Sequence, residues 1–432
     1  MKAKEIILLI LIIVVGILFT QLYTGEIDVY FDFEDDFIIV SNEFDYEDYQ
    51  EFEPPFPSLI HVTNSHGDIE ILGTDENKIT VSLRKKVWRR KEEKAKEIAD
   101  ELKMSIKKET DKWTITTSRD ELRRKNIRTT FIISVPSSLN VEVENSYGTV
   151  DVANVQKTDI TNYHGETFVS DIFGELSLES SYRDVEVGNI NADVYLESHN
   201  SSVYVGKVQG KVHVVHRYGK IHLDDISKDV KVEGSHSEIY GEKLVGPVEL
   251  ESSYRKIALY DVGPTEIIGH SCEIEVEGAE KYLDIKSNYG KAKISNLKGD
   301  LMIDGKNLGV YGRTIVGEKI DIKSSYRNID LTDFSGRATI ILSHGEATLA
   351  PYPLTHPLEV RGEYSTIKFS WPLGKKYPFE ARVKNGDIEW MLPEEISVIE
   401  EDHTQTYKAF IQETESPSIL IYTSYRTIRV TQ

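Results

Sequence analysis

Tyrosine and histidine recur along most of this chain at a nearly constant interval, and their rings are its most distinctive chemical groups. Aromatic rings in a row along an exposed edge can bind sugar rings by stacking, while polar neighbours fix the orientation of the sugar. The alternative is that the row only packs and hydrogen-bonds adjacent repeats. The candidate binding residues are Tyr147, His164, Tyr182, Tyr218, His236, Tyr254, Tyr289, Tyr326, His344 and Tyr364.

Carboxylates are the second group with chemical potential. A glycoside hydrolase or lyase needs two carboxylates at a set distance, or a carboxylate with a metal or a base. Asp224 with Asp225, and Asp184 with Glu186, are conceivable pairs. Acidic residues are spread along the whole chain, however, and none clusters uniquely with His or Arg. We therefore predict that the protein is not an enzyme.

Two serine–histidine neighbours suggest a nucleophile and its base, namely Ser198-His199 and Ser343-His344. Adjacent residues of a strand point to opposite faces, so these pairs have poor geometry for proton transfer. Cys272 lies at a turn-like position and is predicted to be an ordinary thiol. No Gly-rich turn opens a helix, which argues against a nucleotide phosphate site.

A metal site has little support in the sequence pattern. His213 lies near His216, and His61 lies near His66, but neither pair is accompanied by a matching carboxylate pattern. We predict no metal site and no cofactor.

Composition excludes several classes of protein. The chain has 432 residues, and 51 Lys+Arg against 72 Asp+Glu give a net charge of −21. A general nucleic-acid binder needs clustered basic residues, so nucleic acid is not a predicted partner. A single Cys excludes a disulfide framework and a Cys-based zinc site. A hydrophobic content of 39% is too high for wholesale disorder.

The interval itself predicts the fold. Fourteen positions mark the repeat at steps of 17 to 21 residues, and Tyr occupies every other one: Tyr147, His164, Tyr182, Asn200, Tyr218, His236, Tyr254, Ser271, Tyr289, Asn307, Tyr326, His344, Tyr364 and Asn385. Within a unit the hydrophobic period is two and turn residues stand at the corners, which is typical of short strands. One unit cannot bury its own apolar face, so neighbours must stack on it. We predict an all-β, single-stranded β-solenoid of about 14 coils of about 18 residues, with a 36-residue coil as the alternative.

The N-terminal residues predict the cellular location of the protein. Residues Met1–Glu5 carry two lysines, and an uncharged apolar run from Ile6 to Leu22 follows. With the next residues it approaches the roughly 20 that a transmembrane helix needs. No small-residue cleavage motif lies near Thr20–Gly25, which favours an anchor at residues 1–25 over a cleaved secretion signal. The lysines keep the N-terminus cytoplasmic, so the remaining chain is predicted to be periplasmic or extracellular, either anchored or secreted.

Two segments of opposite charge precede the repeats. Residues 26–57 form an acidic, aromatic-rich linker, with twelve Asp/Glu and no Lys/Arg between Glu26 and Glu53. This charge density predicts a spacer that is at least partly disordered. The segment from Arg84 to Arg128 contains 17 basic residues and 9 acidic residues. Three interpretations stay open for this basic module: a patch for lipid head groups or anionic glycans, a solvated face, or a docking surface for the acidic arm.

A small α+β cap is predicted over residues 58–140. Ala95, Ile98, Ala99 and Leu102 fall at helical spacing, which predicts one helix within Arg89–Met104. The solenoid repeats then occupy residues 141–370. A C-terminal β cap at residues 371–432, where the period loosens, protects the open end from edge pairing.

The layout resembles the bacterial putative-adhesin proteins of unknown function that have a toastrack-like β-solenoid. Three segments carry the resemblance: the turn and strand from Asn64 to Ile69, the helix near Lys91–Met104, and the run Ile132–Pro136 that leads into Val141–Val150. It covers most of the chain but contains no catalytic signature. The resemblance implies a cell-envelope location and leaves activity open. The chain departs from the family in its Tyr-Arg and His turns and in its acidic arm.

Together these observations predict a membrane-anchored, non-catalytic envelope protein. It would act as an adhesin-like module or scaffold that presents an elongated surface to an envelope polysaccharide or to a membrane or envelope protein. One alternative is a β-helix hydrolase or lyase that acts on envelope polysaccharide. Another is a sensor or regulator of envelope stress that signals through its anchor.

Overall fold

The computed structural model describes residues 28–31, 37–40, 42–122, 126–413 and 416–432. These residues form an all-β solenoid of about 13 turns, with very little helix. None of their helices is long and apolar enough to cross a membrane, and the predicted anchor at residues 1–25 lies outside them. The chain divides into two compact units, Met1–Asn191 and Ala192–Gln432.

The first unit contains fifteen described strands and the helix α1. Their bounds are β1 Asp28–Phe31, β2 Phe37–Val40, β3 Asn42–Phe52, β4 Leu59–His66, β5 Asp68–Thr74, β6 Ile79–Arg89, α1 Glu92–Glu101, β7 Met104–Lys108, β8 Lys112–Thr117, β9 Ile127–Pro136, β10 Asn140–Tyr147, β11 Val150–Ala153, β12 Thr158–Asn162, β13 Thr167–Ile172, β14 Leu176–Ser181 and β15 Val185–Ile190, with a 3-10 turn at Arg119–Leu122. The predicted helix is confirmed as α1, and Ala95, Ile98 and Ala99 form its buried face.

The second unit contains twenty described strands. Their bounds are β16 Val194–His199, β17 Ser202–Val208, β18 Val212–Ile226, β19 Val230–Leu244, β20 Val248–Ser253, β21 Lys256–Val262, β22 Thr265–His270, β23 Cys272–Ser287, β24 Gly290–Gly305, β25 Leu308–Ser325, β26 Ile329–Ser343, β27 Glu346–Pro351, β28 Leu358–Glu363, β29 Thr366–Ser370, β30 Phe379–Lys384, β31 Ile388–Trp390, β32 Ser397–Glu401, β33 Thr404–Ala409, β34 Ile419–Ser424 and β35 Ile428–Thr431.

Parallel pairing gives the size of the coil. Val212 lies opposite Val230, and Val230 lies opposite Val248, which is the predicted step of about 18 residues. The 36-residue coil is therefore wrong. The solenoid has about 13 turns, so the predicted count of about 14 is slightly too high.

Alternating side chains fill the inside of each coil. Val194, Val212, Val230 and Val248 lie at one position of successive coils, and each is almost completely buried. Burying one such side chain contributes about 1.5–3 kcal/mol relative to leaving it exposed. Because each valine contacts the coils above and below, this free energy is available only to stacked coils.

The coils turn at residues in the left-handed backbone conformation. Twelve of these corner residues coincide with sequence marks or their structural equivalent, with φ between 52° and 69°: Tyr182, Asn200, Tyr218, His236, Tyr254, Ser271, Asn307, Tyr326, His344, Tyr364, Asn385 and Tyr425. A second corner uses mainly Asn, Asp and Lys, for example Asn189 and Asp225. Asn, Asp and His are enriched in this conformation, whereas Tyr is an unusual choice.

The first unit is stacked out of chain order at its start. Strand β4 pairs in parallel with both β8 and β10, and β5 pairs with both β9 and β11. The coil of β4 and β5 therefore lies between the coil of β8 and β9 and the coil of β10 and β11, although both of these follow it in the sequence. The segment β6–α1–β7 is the excursion that allows this order.

Strand β3 belongs to the acidic segment and pairs along its full length with the basic strand β6, antiparallel. Carboxylates of β3 form ion pairs with lysines of β6. The Glu43 carboxylate lies 2.5 Å from the Lys86 ammonium, and the Asp48 carboxylate lies 2.6 Å from the Lys85 ammonium. Residues 42–52 are therefore an ordered strand, as the third interpretation of the charged segments expects. The disordered spacer is wrong for these residues, because opposite charges on β6 offset their repulsion.

The second unit ends with a similar reordering. Strand β34 lies between β28 and β30, and β35 lies between β29 and β31. The hairpin of β32 and β33 then pairs antiparallel with the outer edge of β30. This hairpin occupies the edge that the last coil would otherwise leave open.

Candidate binding surface on the solenoid corner

The first unit carries a continuous stack of four rings at its corner. His66, Tyr147, His164 and Tyr182 stack in this order, with centroid separations of 4.8, 4.7 and 4.9 Å. Their planes are inclined by only 13° to 22°. The separation equals the distance between paired strands, so the backbone spacing itself positions the rings.

The second unit carries two further stacks. In one, His236 lies between Tyr218 and Tyr254, at 4.9 Å from each ring. In the other, the rings follow the order Tyr326, His344, Tyr364 and Tyr425, with separations of 4.9, 4.9 and 4.7 Å. As predicted, His lies between consecutive Tyr marks and separates them by two coils.

Solvent reaches these stacked rings from the side. The tyrosines of the row are between 39% exposed, at Tyr364, and 60% exposed, at Tyr254. Ring stacking contributes about 0.5–1.5 kcal/mol beyond buried area. It offsets part of the cost of about 1–2 kcal/mol that a non-glycine residue bears in the left-handed conformation.

Polar marks interrupt the row. Asn200, Ser271 and Asn307 have no ring, and Tyr289 lies between the last two. Tyr289 is 55% exposed. At this coil, Gly290 rather than the tyrosine takes the positive φ, at 121°. The predicted binding residues therefore form three ring stacks and one separate tyrosine.

Two rings of the stacks are absent from the predicted row. His66 lies in Asn64-Ser65-His66-Gly67, which parallels Asn145-Ser146-Tyr147-Gly148, and Tyr425 lies in Ser424-Tyr425-Arg426. The local motifs identify both residues. The spacing does not, because each lies in a coil that stacks out of chain order.

A second aromatic row lies on another side of the second unit. The rings of Tyr204, His222, Tyr240 and Tyr260 follow one another at 5.2, 4.5 and 5.4 Å, with inclinations of 37° to 61°. The Tyr240 hydroxyl donates to Glu242 at 2.9 Å, and this hydrogen bond raises the pKa of Tyr240. These residues lie inside strands rather than at the marks, so the corner repeat does not indicate this second row.

A buried polar chain lies behind the corner in the second unit. Ser198 hydrogen-bonds Ser201 at 2.6 Å, Ser201 lies 3.2 Å from Nε2 of His216, and Ser237 lies 2.7 Å from its Nδ1. All four side chains are buried. Burial lowers the pKa of His216 to about 4, so the ring is neutral at pH 7. Because solvent does not reach these four side chains, their hydrogen-bond network is a structural element of the core.

The histidines that lie close together in the sequence do not form pairs in the structure. His61 and His66 are not a pair: His66 joins the ring stack, and His61 lies near Glu142 and Glu144. His213 likewise lies apart from the buried His216 and contacts Glu233 at 3.3 Å.

The candidate catalytic residues are not drawn together into one group. Asp225 is a left-handed corner residue, while Asp224 lies 3.8 Å from Lys243. Asp184 and Glu186 are exposed on and beside β15. Ser198 is buried whereas the neighbouring His199 is partly exposed, as alternation along a strand requires.

The serine–histidine pair at Ser343 and His344 and the single thiol complete the candidates. His344 belongs to a ring stack. Cys272 is fully buried, and burial raises the pKa of its thiol, so it is held in the unreactive protonated form.

Comparisons with known proteins give little guidance. No protein-family model matches the sequence, and no curated protein is similar to it. Among solved structures, a "putative cell adhesion protein" from Clostridium sporogenes matches 90% of this chain and 100% of its own, with 9% identity and a TM-score of 0.19. A similarity of this degree carries no conclusion about this chain.

Proposed function

We propose that this protein is a non-catalytic, adhesin-like binding module whose corner row of Tyr and His rings holds an extended polysaccharide. The observation that supports this most directly is the exposure of the tyrosines at a fixed spacing of about 4.7–4.9 Å between rings. A row fixed by the backbone loses little entropy when a ligand binds, which favours affinity.

The polar neighbours suit a hydroxylated ligand. Arg183, Arg255 and Arg327 each follow a row tyrosine and are exposed, so they can donate hydrogen bonds beside the rings. Sugars present an apolar ring face together with hydroxyl groups at the rim. The exposed edges of the stacked rings, flanked by guanidinium donors, offer such a ligand both an apolar surface and hydrogen bonds.

The test uses variants that keep the corner conformation. Asn occupies the same corner at Asn200 and Asn307, with φ of 55° and 52°. Tyr218→Asn and Tyr254→Asn, combined in one protein, therefore remove two rings without requiring a new backbone. Tyr311→Thr is the matched control, because Tyr311 is 44% exposed but lies within a strand and outside the row.

The full chain and both variants would be passed over a panel of immobilised envelope polysaccharides, and reducing sugar ends would be measured in parallel. We expect retention on one glycan class, at least tenfold weaker retention for the double variant, and unchanged retention for the control. Equal retention of all three proteins would contradict the ring row as the site. Release of sugar ends by the unmodified chain would contradict the non-catalytic role.

The location is proposed from the apolar run Ile6–Leu22 and the lysines before it. A module of this kind must face the outside of the cell to meet a polysaccharide. Protease treatment of intact cells, or of cells whose outer layer has been opened, should degrade the solenoid. Protection until the inner membrane is lysed would contradict an extracytoplasmic location.

A further inference from the structure

The geometry points to a divalent metal site, best suited to Zn²⁺, that is formed by His61, Glu142 and Glu144 in the first unit. Nε2 of His61 lies 3.9 Å from an oxygen of Glu142 and 3.7 Å from an oxygen of Glu144. One ligand atom from each residue lies within 4.8 Å of the other two. This site does not depend on the proposed function.

Strand pairing creates the cluster. His61 on β4 lies directly opposite Glu142 on β10, and Glu144 follows two residues later on the same face. Side chains opposite each other across a strand pair are close enough to share a ligand. The pairing joins segments that are far apart in sequence, so the residues around His61 do not indicate its carboxylate partners.

Neighbouring groups orient the ligands. The Lys112 ammonium donates to the other carboxylate oxygen of Glu142 at 2.7 Å, which leaves the first oxygen facing His61. Thr63 Oγ1 lies 3.1 Å from Nε2 of His61, so it can donate to the lone pair that a metal would use. A partner on the non-ligating atom, as Lys112 is for Glu142, fixes ligand orientation in known metal sites, whereas Thr63 holds the imidazole lone pair until a metal takes its place. Metal binding would replace the hydrogen bond from Thr63.

The local charge favours a cation. Glu142 and Glu144 bring two negative charges, and Asp159 lies opposite Glu142 on β12. Lys112 offsets one of them. The His61 side chain is only 13% exposed, whereas the Glu144 side chain is 56% exposed. A bound dication would neutralise the remaining charge.

The donor set indicates the metal class. One imidazole and two carboxylates suit Zn²⁺, whose nitrogen and oxygen ligands lie about 2.0–2.2 Å from the metal and therefore about 3.3–3.6 Å from one another in a tetrahedral site. Small rotations of the glutamates bring the present separations into that range. Ca²⁺ requires six to eight oxygen ligands and does not use imidazole well, so it should bind far more weakly.

The test is calorimetric titration of the chelator-treated full chain with Zn²⁺ and with Ca²⁺, together with thermal unfolding. We expect one Zn²⁺ per chain, a rise in Tm with added Zn²⁺, and no comparable effect of Ca²⁺. His61→Gln and Glu144→Gln should each weaken Zn²⁺ binding at least tenfold. Glu144 is exposed, so its variant keeps the fold even if the His61 variant does not.

His213→Gln is the matched control. His213 also lies beside a glutamate, Glu233 at 3.3 Å, but Lys231 contacts the same oxygen at 2.6 Å. Its variant should bind Zn²⁺ like the unmodified chain. The inference is overturned if the unmodified chain binds no Zn²⁺, if Glu144→Gln binds it equally well, or if His213→Gln removes the binding.

Discussion

The ring of Tyr364 stacks on the ring of Tyr425 with a centroid separation of 4.7 Å and an inclination of only 7°, although their coils are not consecutive in the chain. It is the flattest stack of the row. The coil of Tyr425 has been inserted between those of Tyr364 and Asn385, and its tyrosine continues the row without a break. Position in the stack, rather than position in the chain, therefore decides which rings meet.

At the corner residues, the left-handed conformation should make a glycine variant more stable than an alanine variant, the reverse of the usual order. At Tyr254, with φ of 67°, alanine loses the stack on His236 and keeps the left-handed strain, whereas glycine loses only the stack. We expect Tyr254→Gly to be more stable than Tyr254→Ala by about 1 kcal/mol in urea unfolding. At Tyr311, within a strand, the glycine variant should be the less stable one. The same order at both sites would contradict the role assigned to the corner.

The buried His216 should make stability fall in acid. Its pKa is about 4 in the folded protein and about 6.5 when unfolded, so the unfolded state takes up the proton first. Stability is complete above about pH 6.5 and falls as the pH drops toward 4, by about 3 kcal/mol in total. Urea midpoints measured across this range should show the fall, and His216→Asn should remove that component. An unchanged fall in the variant would assign it to other groups.

Strand β3 should depend on one ion pair more than on the others. The Lys85 ammonium is almost fully buried, donates to the carbonyls of Ala99 and Leu102, and has Asp48 as its carboxylate partner. Asp48→Asn leaves this cation without a counter-charge, and we expect a loss of about 2–3 kcal/mol. The exposed pair of Glu97 with Lys94 is the control, since Glu97→Gln should change stability by less than about 0.5 kcal/mol. Similar losses in both variants would contradict the special role of Lys85.

Two glycines should respond in opposite ways to alanine. A Cβ on Gly290, whose φ is 121°, would lie 2.0 Å from the Cys272 carbonyl oxygen, whereas a Cβ on Gly188 would meet nothing within 4 Å. Gly290→Ala should cost about 3 kcal/mol or more, because backbone must move. Gly188→Ala should be neutral or slightly stabilising, by up to about 0.5 kcal/mol. Thermal unfolding of both variants compares them directly, and equal shifts in Tm would contradict the crowding at Gly290.

The repeat was predictable because its cause is local. A corner that needs a left-handed residue and a strand with alternating burial recur with the coil, so Tyr182, Asn200 and Tyr218 reveal the period directly. The helix was predictable for the same reason. The stacking order, in contrast, depends on long-range pairing. The residues near Tyr425 do not indicate that β34 lies between β28 and β30. The neighbours of His61 were hidden for the same reason, since the register of β4 on β10 brings Glu142 to it.

The acidic segment also differs from its prediction for a non-local reason. Like charges within it repel one another, which by itself predicts a spacer. The structure places residues 42–52 against β6, where Lys85 and Lys86 reverse the sign of the interaction. Composition measures the charge of a segment but not the charge of the strand opposite it.

The insertion of the last coil between two earlier ones fixes the order in which strands can pair during synthesis. A ribosome delivers β30 and β31 before β34 and β35, yet β30 reaches β28 only through β34. Until the later coil is made, the hydrogen-bonding edges of both β28 and β30 are open, and each offers a template for another copy of the chain. Translation that pauses between β33 and β34 should therefore promote aggregation, whereas a pause inside the regular coils leaves only one growing edge uncovered.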